Sequence, residues 1–285
     1  MDKVLVIGIV GESVFMKCDH FHKPGETIKV DNIYSEIGGK GFNQALTIKK
    51  IGGNVKFICS LGNDTIKEKC INEINKLNVD FKYFIDYEKM TAYATILTNK
   101  LGDNQVSVYQ GSSLNISNLN EILNEIDQAE YLLLQLEIPY DINLAIAKYA
   151  KSKGKKIILN PAPVAEISEL LKYVDIITPN EIETITLFGS NYQEELIDKP
   201  FKTIVTRGDK STLLFDKSMK EFDTHKVQVK DTTGAGDAFN GALVYQLAAK
   251  KNINDAIVFA NKVASHTVQY DYVLPGILSL EQSEK

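Results

Sequence analysis

The sequence predicts an α/β protein with a mostly parallel central sheet, helices on both faces, and a small β lid. Three observations carry this. From residue 130 onward, short apolar runs alternate with helical patterns over short connections, the order that builds a parallel sheet. Polar residues (Gln135, Glu137, Asn160, Asn180, Glu183 and Arg207) end or follow those runs, and such folds place their ligands beyond the C-terminal strand ends. Two earlier segments, within 14–37 and 91–110, break the rhythm with β-branched and aromatic residues.

Taken in order, residues 4–10 form a first buried strand, and 41–51 a helix closed by Gly52-Gly53, the residue type favoured past a helix C-terminus. Residues 55–60 are a short strand, and 65–77 a helix with Ile66, Ile71, Ile74 and Leu77 inward. The later strands are expected at 131–136, 156–160, 176–178 and 203–206. The helices between them are expected at 143–153, 166–173 and 181–188. Thr27-Ile28-Lys29-Val30, residues 92–97 and the turn Leu101-Gly102-Asp103-Asn104 read as strands and a turn of a separate small sheet. Such a flap over the ligand end would act as a lid. No linker divides the chain, so residues 1–285 read as one domain.

The bulk properties exclude whole classes of function. A net charge of −5 argues against a chain that coats nucleic acid or an anionic membrane. The three cysteines, Cys18, Cys59 and Cys70, are too scattered for a zinc ligand set and suit a reducing compartment. The opening apolar run is short, lacks a basic leader and reads as a strand, so the chain is expected in the cytoplasm. His20 and His22 have no third ligand nearby in sequence, and His225 and His266 stand singly.

The richest chemistry lies at Asp231-Thr232-Thr233-Gly234-Ala235-Gly236-Asp237, which leads into an apolar helix. Two glycines at a helix start let backbone N–H groups turn outward and form an anion site. A carboxylate in the first turn could then take a proton from a hydroxyl attacking a bound phosphate. By itself the string reads equally well as a tight turn with a stabilising first-turn acid. Gly38-Gly39-Lys40-Gly41-Phe42-Asn43-Gln44-Ala45 is by itself a glycine turn before a helix. Asn180 with Glu183 is by itself a capping box.

Together these strings resemble the signatures of the ribokinase-like (phosphofructokinase-B) carbohydrate kinases, in their ribokinase wording, and the resemblance spans nearly the whole chain. It implies ATP-dependent phosphorylation of a primary hydroxyl on a small sugar, best matched by ribose, with Asp237 as the base. Gly234, Ala235 and Gly236 would supply N–H groups to the transferred phosphoryl. Gly39, Lys40, Asn43 and Glu137 would face the sugar; Asn180, Thr206, Gly208, Gly236 and Asn261 would serve the nucleotide. Asn180 and Glu183 would hold magnesium through water, and Asp231 and Thr233 would lie by a monovalent cation such as potassium. It also implies pairing into a homodimer through the lid, with ATP and the sugar as the small-molecule partners.

The chain departs from that pattern at three places. Gly11 and Ser13 stand where ribokinases carry an Asn and an Asp that grip the sugar, a change expected to cost roughly 1.5–3 kcal/mol of binding. Asp271 and Tyr272 replace a Gly-Ala pair near the cation, and Asp209-Lys210-Ser211 lacks a second glycine of the nucleotide loop. A nucleoside kinase or a kinase for another sugar is therefore the alternative within the family, and a non-catalytic sugar- or nucleotide-binding regulator the alternative outside it. No Walker string and no Gly-x-Gly-x-x-Gly after the first strand occurs, against a P-loop NTPase or a dinucleotide dehydrogenase.

Overall fold

The computed structural model describes residues 1–101 and 103–283. Gly102 of the anticipated turn lies outside the described residues. The strands are β1 Val4–Ile7, β2 Gly11–Cys18, β3 Val30–Gly38, β4 Val55–Gly62, β5 Asp80–Asp86, β6 Ala92–Thr98 and β7 Asn104–Tyr109. They continue as β8 Tyr131–Leu134, β9 Lys156–Leu159, β10 Ile176–Ile177, β11 Lys202–Val205, β12 Thr212–Phe215 and β13 Met219–Phe222. The helices that matter below are α1 Lys40–Lys50, α2 Thr65–Lys76, α3 Leu119–Asp127, α4 Tyr140–Ser152 and α5 Glu181–Phe188. After them come α6 Tyr192–Leu196, α7 Ala235–Ala248, α8 Ile253–Thr267 and α9 Val273–Leu278.

Among the described residues the strands form two sheets. The large one runs β13-β12-β11-β10-β9-β8-β1-β4-β5, parallel from β11 to β5 with β12 and β13 antiparallel at one edge. β1 sits in the middle, with Val4 level with Val55 of β4 and Tyr131 of β8. All four of its residues are fully buried. Alternation sends Val4 and Val6 into the core under α1, α7 and α8, and Leu5 and Ile7 into the core under α3 and α4. This is why the strand is an unbroken apolar run: both faces are covered.

The small sheet runs β3-β2-β6-β7, with β2 parallel to β6 and both outer pairs antiparallel. Three residues separate β1 from β2, so the central strand feeds directly into the small sheet. β3 in turn runs into α1 through Gly39. The outer strand β7 is exposed throughout, with Val106, Val108 and Tyr109 facing solvent.

Some elements depart from the expectation. Residues 166–173 form only a single 3₁₀ turn, Leu170–Lys172, not an α-helix. The Glu166 carboxylate accepts the Ser168 N–H at 2.8 Å, a local bond that competes with helical pairing. Thr27, Ile28 and Lys29 lie before β3 in irregular chain, and only Val30 of that run is in a strand. The hairpin of β12 and β13 and the strand β5 have no counterpart in the expectation.

Candidate active site

α7 begins at the end of the glycine turn because Gly234 can adopt what the turn demands. Its φ is +78°, in the left-handed region, and a Cβ placed there would lie 2.6 Å from Val273 Cγ1. Only glycine meets both conditions. At N1 of the helix, Ala235 N–H is spent on Thr232 O at 3.2 Å. The N–H groups of Gly236 and Asp237 have no acceptor inside the helix, as for every first turn. A Cβ built on Gly236 meets nothing within 4 Å, so this turn faces open space.

Asp237 lies in that first turn and is 6% exposed. Two amides near the start of α1 hold its carboxylate: Asn43 Nδ2 donates to Oδ2 at 3.0 Å, and Gln44 Nε2 to Oδ1 at 3.1 Å. Both amides reach it because α1 and α7 pack in close contact. A Cβ on Gly241 of α7 would lie 2.7 Å from Thr47 Cβ of α1. The two donors fix the direction in which the carboxylate points, beside the N-terminal end of α7.

Behind Asp237, Gln44 is the hub of a buried polar network. Its Nε2 also donates to Asn160 Oδ1 at 3.2 Å, and its Oε1 accepts from Gln135 Nε2 at 2.6 Å. Asn160 Nδ2 donates to Thr178 O at 3.3 Å. Thr178 Oγ1 donates to Asn240 Oδ1 at 2.5 Å, and Asn240 Nδ2 to Gly236 O at 2.8 Å. The ends of β8, β9 and β10 are thereby tied to α1 and α7, and the glycine turn is braced from within.

The other sequence candidates surround the same point. Gly39, with φ +117°, brings the chain so near β1 that a Cβ would lie 2.6 Å from Ile9 O. That close approach sets Lys40 at the head of α1, where its backbone N–H donates to Glu137 Oε2 at 2.9 Å. Its ammonium is held above the ordinary lysine value chiefly by the nearby Asp237 charge. Burial pushes the Glu137 carboxyl up to about 7, against the pull of Lys40. Burial likewise raises Glu183, with the Lys40 charge opposing it. Asn180 and Glu183 form a full capping box: Asn180 Oδ1 accepts Glu183 N–H, and Glu183 Oε2 accepts Asn180 N–H, both at 2.8 Å.

A cavity of about 220 Å³ opens between these groups. Lys40, Asn180, Glu183, Thr206, Gly234, Gly236 and Asp237 are all in its lining. Eight sequence candidates stand outside this lining: Gly39, Asn43, Glu137 and Ala235, placed above, and Gly208, Asn261, Asp231 and Thr233. Gly208 lies in the exposed turn after β11 with φ +63°. Asn261 is buried and fully engaged, accepting from Thr212 Oγ1 at 2.8 Å and donating to Asp223 O at 3.1 Å. Asp231 and Thr233 bond to each other below the turn, Thr233 N–H and Oγ1 both donating to Asp231 Oδ1. Among the described residues there is no cluster of three or more His, Cys, Asp or Glu able to hold a metal.

Sequence reasoning named Asn43 for the sugar side, not as a donor to Asp237, and gave Gln44 no role. Gln44 carried a readable signal, a polar residue directly following Asn43 on what packs as an inward helix face. Thr232 and Asn240, which also line the cavity, gave none beyond their place in the glycine string.

The chain is similar to known proteins along nearly its whole length. The model of the pfkB family of carbohydrate kinases matches residues 1–277. A ribokinase of Staphylococcus aureus is 32% identical over 299 aligned positions, covering 99% of this chain and 98% of that protein. The ribokinase structure from Thermotoga maritima superposes with a TM-score of 0.88 at 32% identity, covering 99% of each chain. An Arabidopsis thaliana ribokinase complexed with ribose and ATP superposes with a TM-score of 0.84 at 26% identity, covering 99% of each.

Proposed function

The chain belongs to the pfkB family of carbohydrate kinases, and we propose that it transfers the terminal phosphoryl group of ATP to the primary hydroxyl of ribose. The observation that carries this reading is a carboxylate held by two amide donors at the start of a helix, opening onto a cavity beside unpaired N–H groups. Asp237 takes the hydroxyl proton, the freed oxygen attacks the γ-phosphorus, and the bond to the bridging oxygen of the departing ADP breaks. The N–H groups of Gly236 and Asp237 and the Lys40 ammonium face the charge that builds on the transferred group. Glu137 fixes Lys40 through its backbone, and Gly39 and Asn43 border the sugar side.

Glu183 suits a hydrated magnesium ion, since the capping box takes only its Oε2 and leaves Oε1 at the cavity, with Asn180 beside it to meet the ion's waters. Magnesium keeps most of its waters and takes few protein ligands. When bound it neutralises charge on the phosphates. Thr206, Gly208 and Asn261 follow along the nucleotide side of the large sheet. The small sheet acts as the lid, excluding water that would waste ATP. Exposed Ile33 on β3 and Val108 on β7 (61% and 59% accessible) support pairing of two lids into a homodimer. A cytoplasmic setting, where ATP is supplied, agrees with three buried free thiols. Among the described residues no helix is long and apolar enough to cross a membrane.

One observation favours an acceptor other than ribose. A Cβ on Gly11 would lie 2.1 Å from Ala92 O, so the asparagine of ribokinases has no room there. Glu12 does not replace it, because its carboxylate pairs with Lys69. A panel of ribose, other pentoses, hexoses and nucleosides, read by ADP release, separates these acceptors. Asp237→Asn should lower kcat on the best of them by on the order of 10²–10⁴ while ATP binding persists. Wild-type turnover by that variant overturns the mechanism. Binding without turnover across the panel points to a regulator.

A further inference from the structure

Phosphoryl transfer as described does not use Glu36, yet this carboxylate on β3 is only 4% exposed. Its Oε1 accepts the N–H of Val273 at 3.0 Å, and its Oε2 that of Leu274 at 3.1 Å. The preceding amide, Tyr272 N–H, donates to Asp231 Oδ2 at 3.3 Å. Three successive amides therefore converge on two carboxylates. Tyr272 makes this possible by adopting φ +67°, a region that a bulky residue rarely occupies. Its ring is held in return by the lid, stacked on Tyr34 at 4.1 Å and edge-on to Phe15 at 5.1 Å.

This arrangement bears directly on the monovalent cation that the family resemblance places at Asp231 and Thr233. Potassium is held by oxygen atoms that replace its water shell. Here both Asp231 oxygens are taken by protein donors, Oδ1 by Thr233 and Oδ2 by Tyr272. The facing chain presents N–H groups, whose positive ends repel a cation. The residues present do not fit the ion.

We propose that Glu36 and the amides of residues 272–274 do the ordering that a cation would do, so that catalysis needs no potassium. The physical route is short. Val273, anchored by Glu36, packs directly on Gly234, the residue that starts the anion-facing turn. Glu36 lies three residues before Gly39, so the same side chain links the lid strand, the sugar-side turn and the phosphate-side turn. It is a positioning residue, acting on Asp237 and the glycine turn through Val273 and Asp231.

The test has a stability arm and an activity arm, and only the second rests on the kinase reading. In the first, wild-type thermal unfolding is compared in potassium chloride and tetramethylammonium chloride at equal ionic strength. Equal midpoints are expected, because an ion that bound only the folded state would raise the midpoint with its concentration. A potassium-dependent rise overturns the proposal even if no acceptor has been found. In the second, kcat on the best acceptor, at constant magnesium, should change by less than about twofold on replacing potassium, and tenfold activation overturns the proposal. Glu36→Gln keeps the shape but sets an amide NH₂ against one backbone donor. It should lower kcat by about tenfold while KM for ATP stays within about twofold. Wild-type kcat per folded molecule in that variant overturns the positioning role. If Glu36→Gln does not fold, the two cation comparisons on the wild-type protein still decide.

Discussion

Replacing Gln44 with leucine tests the idea that the base is useful only when it is held. The leucine fills similar volume but removes the donor at 3.1 Å from Asp237 Oδ1, the donor at 3.2 Å from Asn160, and the acceptor at 2.6 Å from Gln135. A hydrogen bond to a charged group contributes about 1.5–3 kcal/mol. Lost from the reacting geometry, that corresponds to roughly 10- to 150-fold in kcat. Asn43 still grips Oδ2, so the loss should be smaller than that in Asp237→Asn measured side by side. Stability should fall as well, because Gln135 and Asn160 are buried and each unmet group costs about 1–3 kcal/mol. For a chain of this size, a total near 3 kcal/mol lowers the unfolding midpoint by roughly 5 °C. ADP release coupled to a dehydrogenase reads the first effect, and circular dichroism melting the second. A folded Gln44→Leu protein with wild-type kcat would refute the claim that the network orients the base.

Two further outcomes follow from the geometry. Gly234→Ala and Gly236→Ala should separate cleanly. The first forces a left-handed alanine against Val273 and should destabilise the fold by about 1–3 kcal/mol. The second adds a methyl in open space and should leave the melting midpoint unchanged or higher while raising KM for ATP. Equal melting midpoints for the two variants would show the turn to be wrongly built. For Glu137, burial raises the folded-state value from 4.5 to about 7, so between those limits the folded state binds more protons than the unfolded chain. The stability contributed by its neutral form is full below about pH 4.5 and is lost as pH rises through 7, by at most about 3 kcal/mol. The difference in unfolding free energy between wild type and Glu137→Gln, measured across that range, should carry this slope. A flat difference would mean that Glu137 does not titrate there.

Much of the site was legible because short strings carried it intact. The glycine turn, its first-turn acid and the Gly-Gly-Lys-Gly string each need particular residue types at fixed local spacing, and local spacing survives in a sequence. Asp237, Lys40, Asn180, Glu183 and Thr206 could be named together for that reason, and they line one cavity. The central strands were legible for a related reason: a strand covered on both faces must be apolar wherever it is buried, as β1 is throughout and β8 and β9 are beyond their opening Tyr131 and Lys156. Residues 166–173 misled because apolar spacing suited a helix, while the Glu166 side chain offered the backbone a competing bond.

By itself, then, the sequence determined much of the strand-helix alternation and the glycine turn with its first-turn acid, since each depends on neighbours close along the chain. Tertiary structure alone decided what holds the Asp237 carboxylate and what packs beneath that turn. Gln44 meets Asp237 across 193 positions, and Glu36 meets Val273 across 237. Hydrogen bonds act over about 3 Å, so partners so far apart along the chain exist only once the sheet has brought them together.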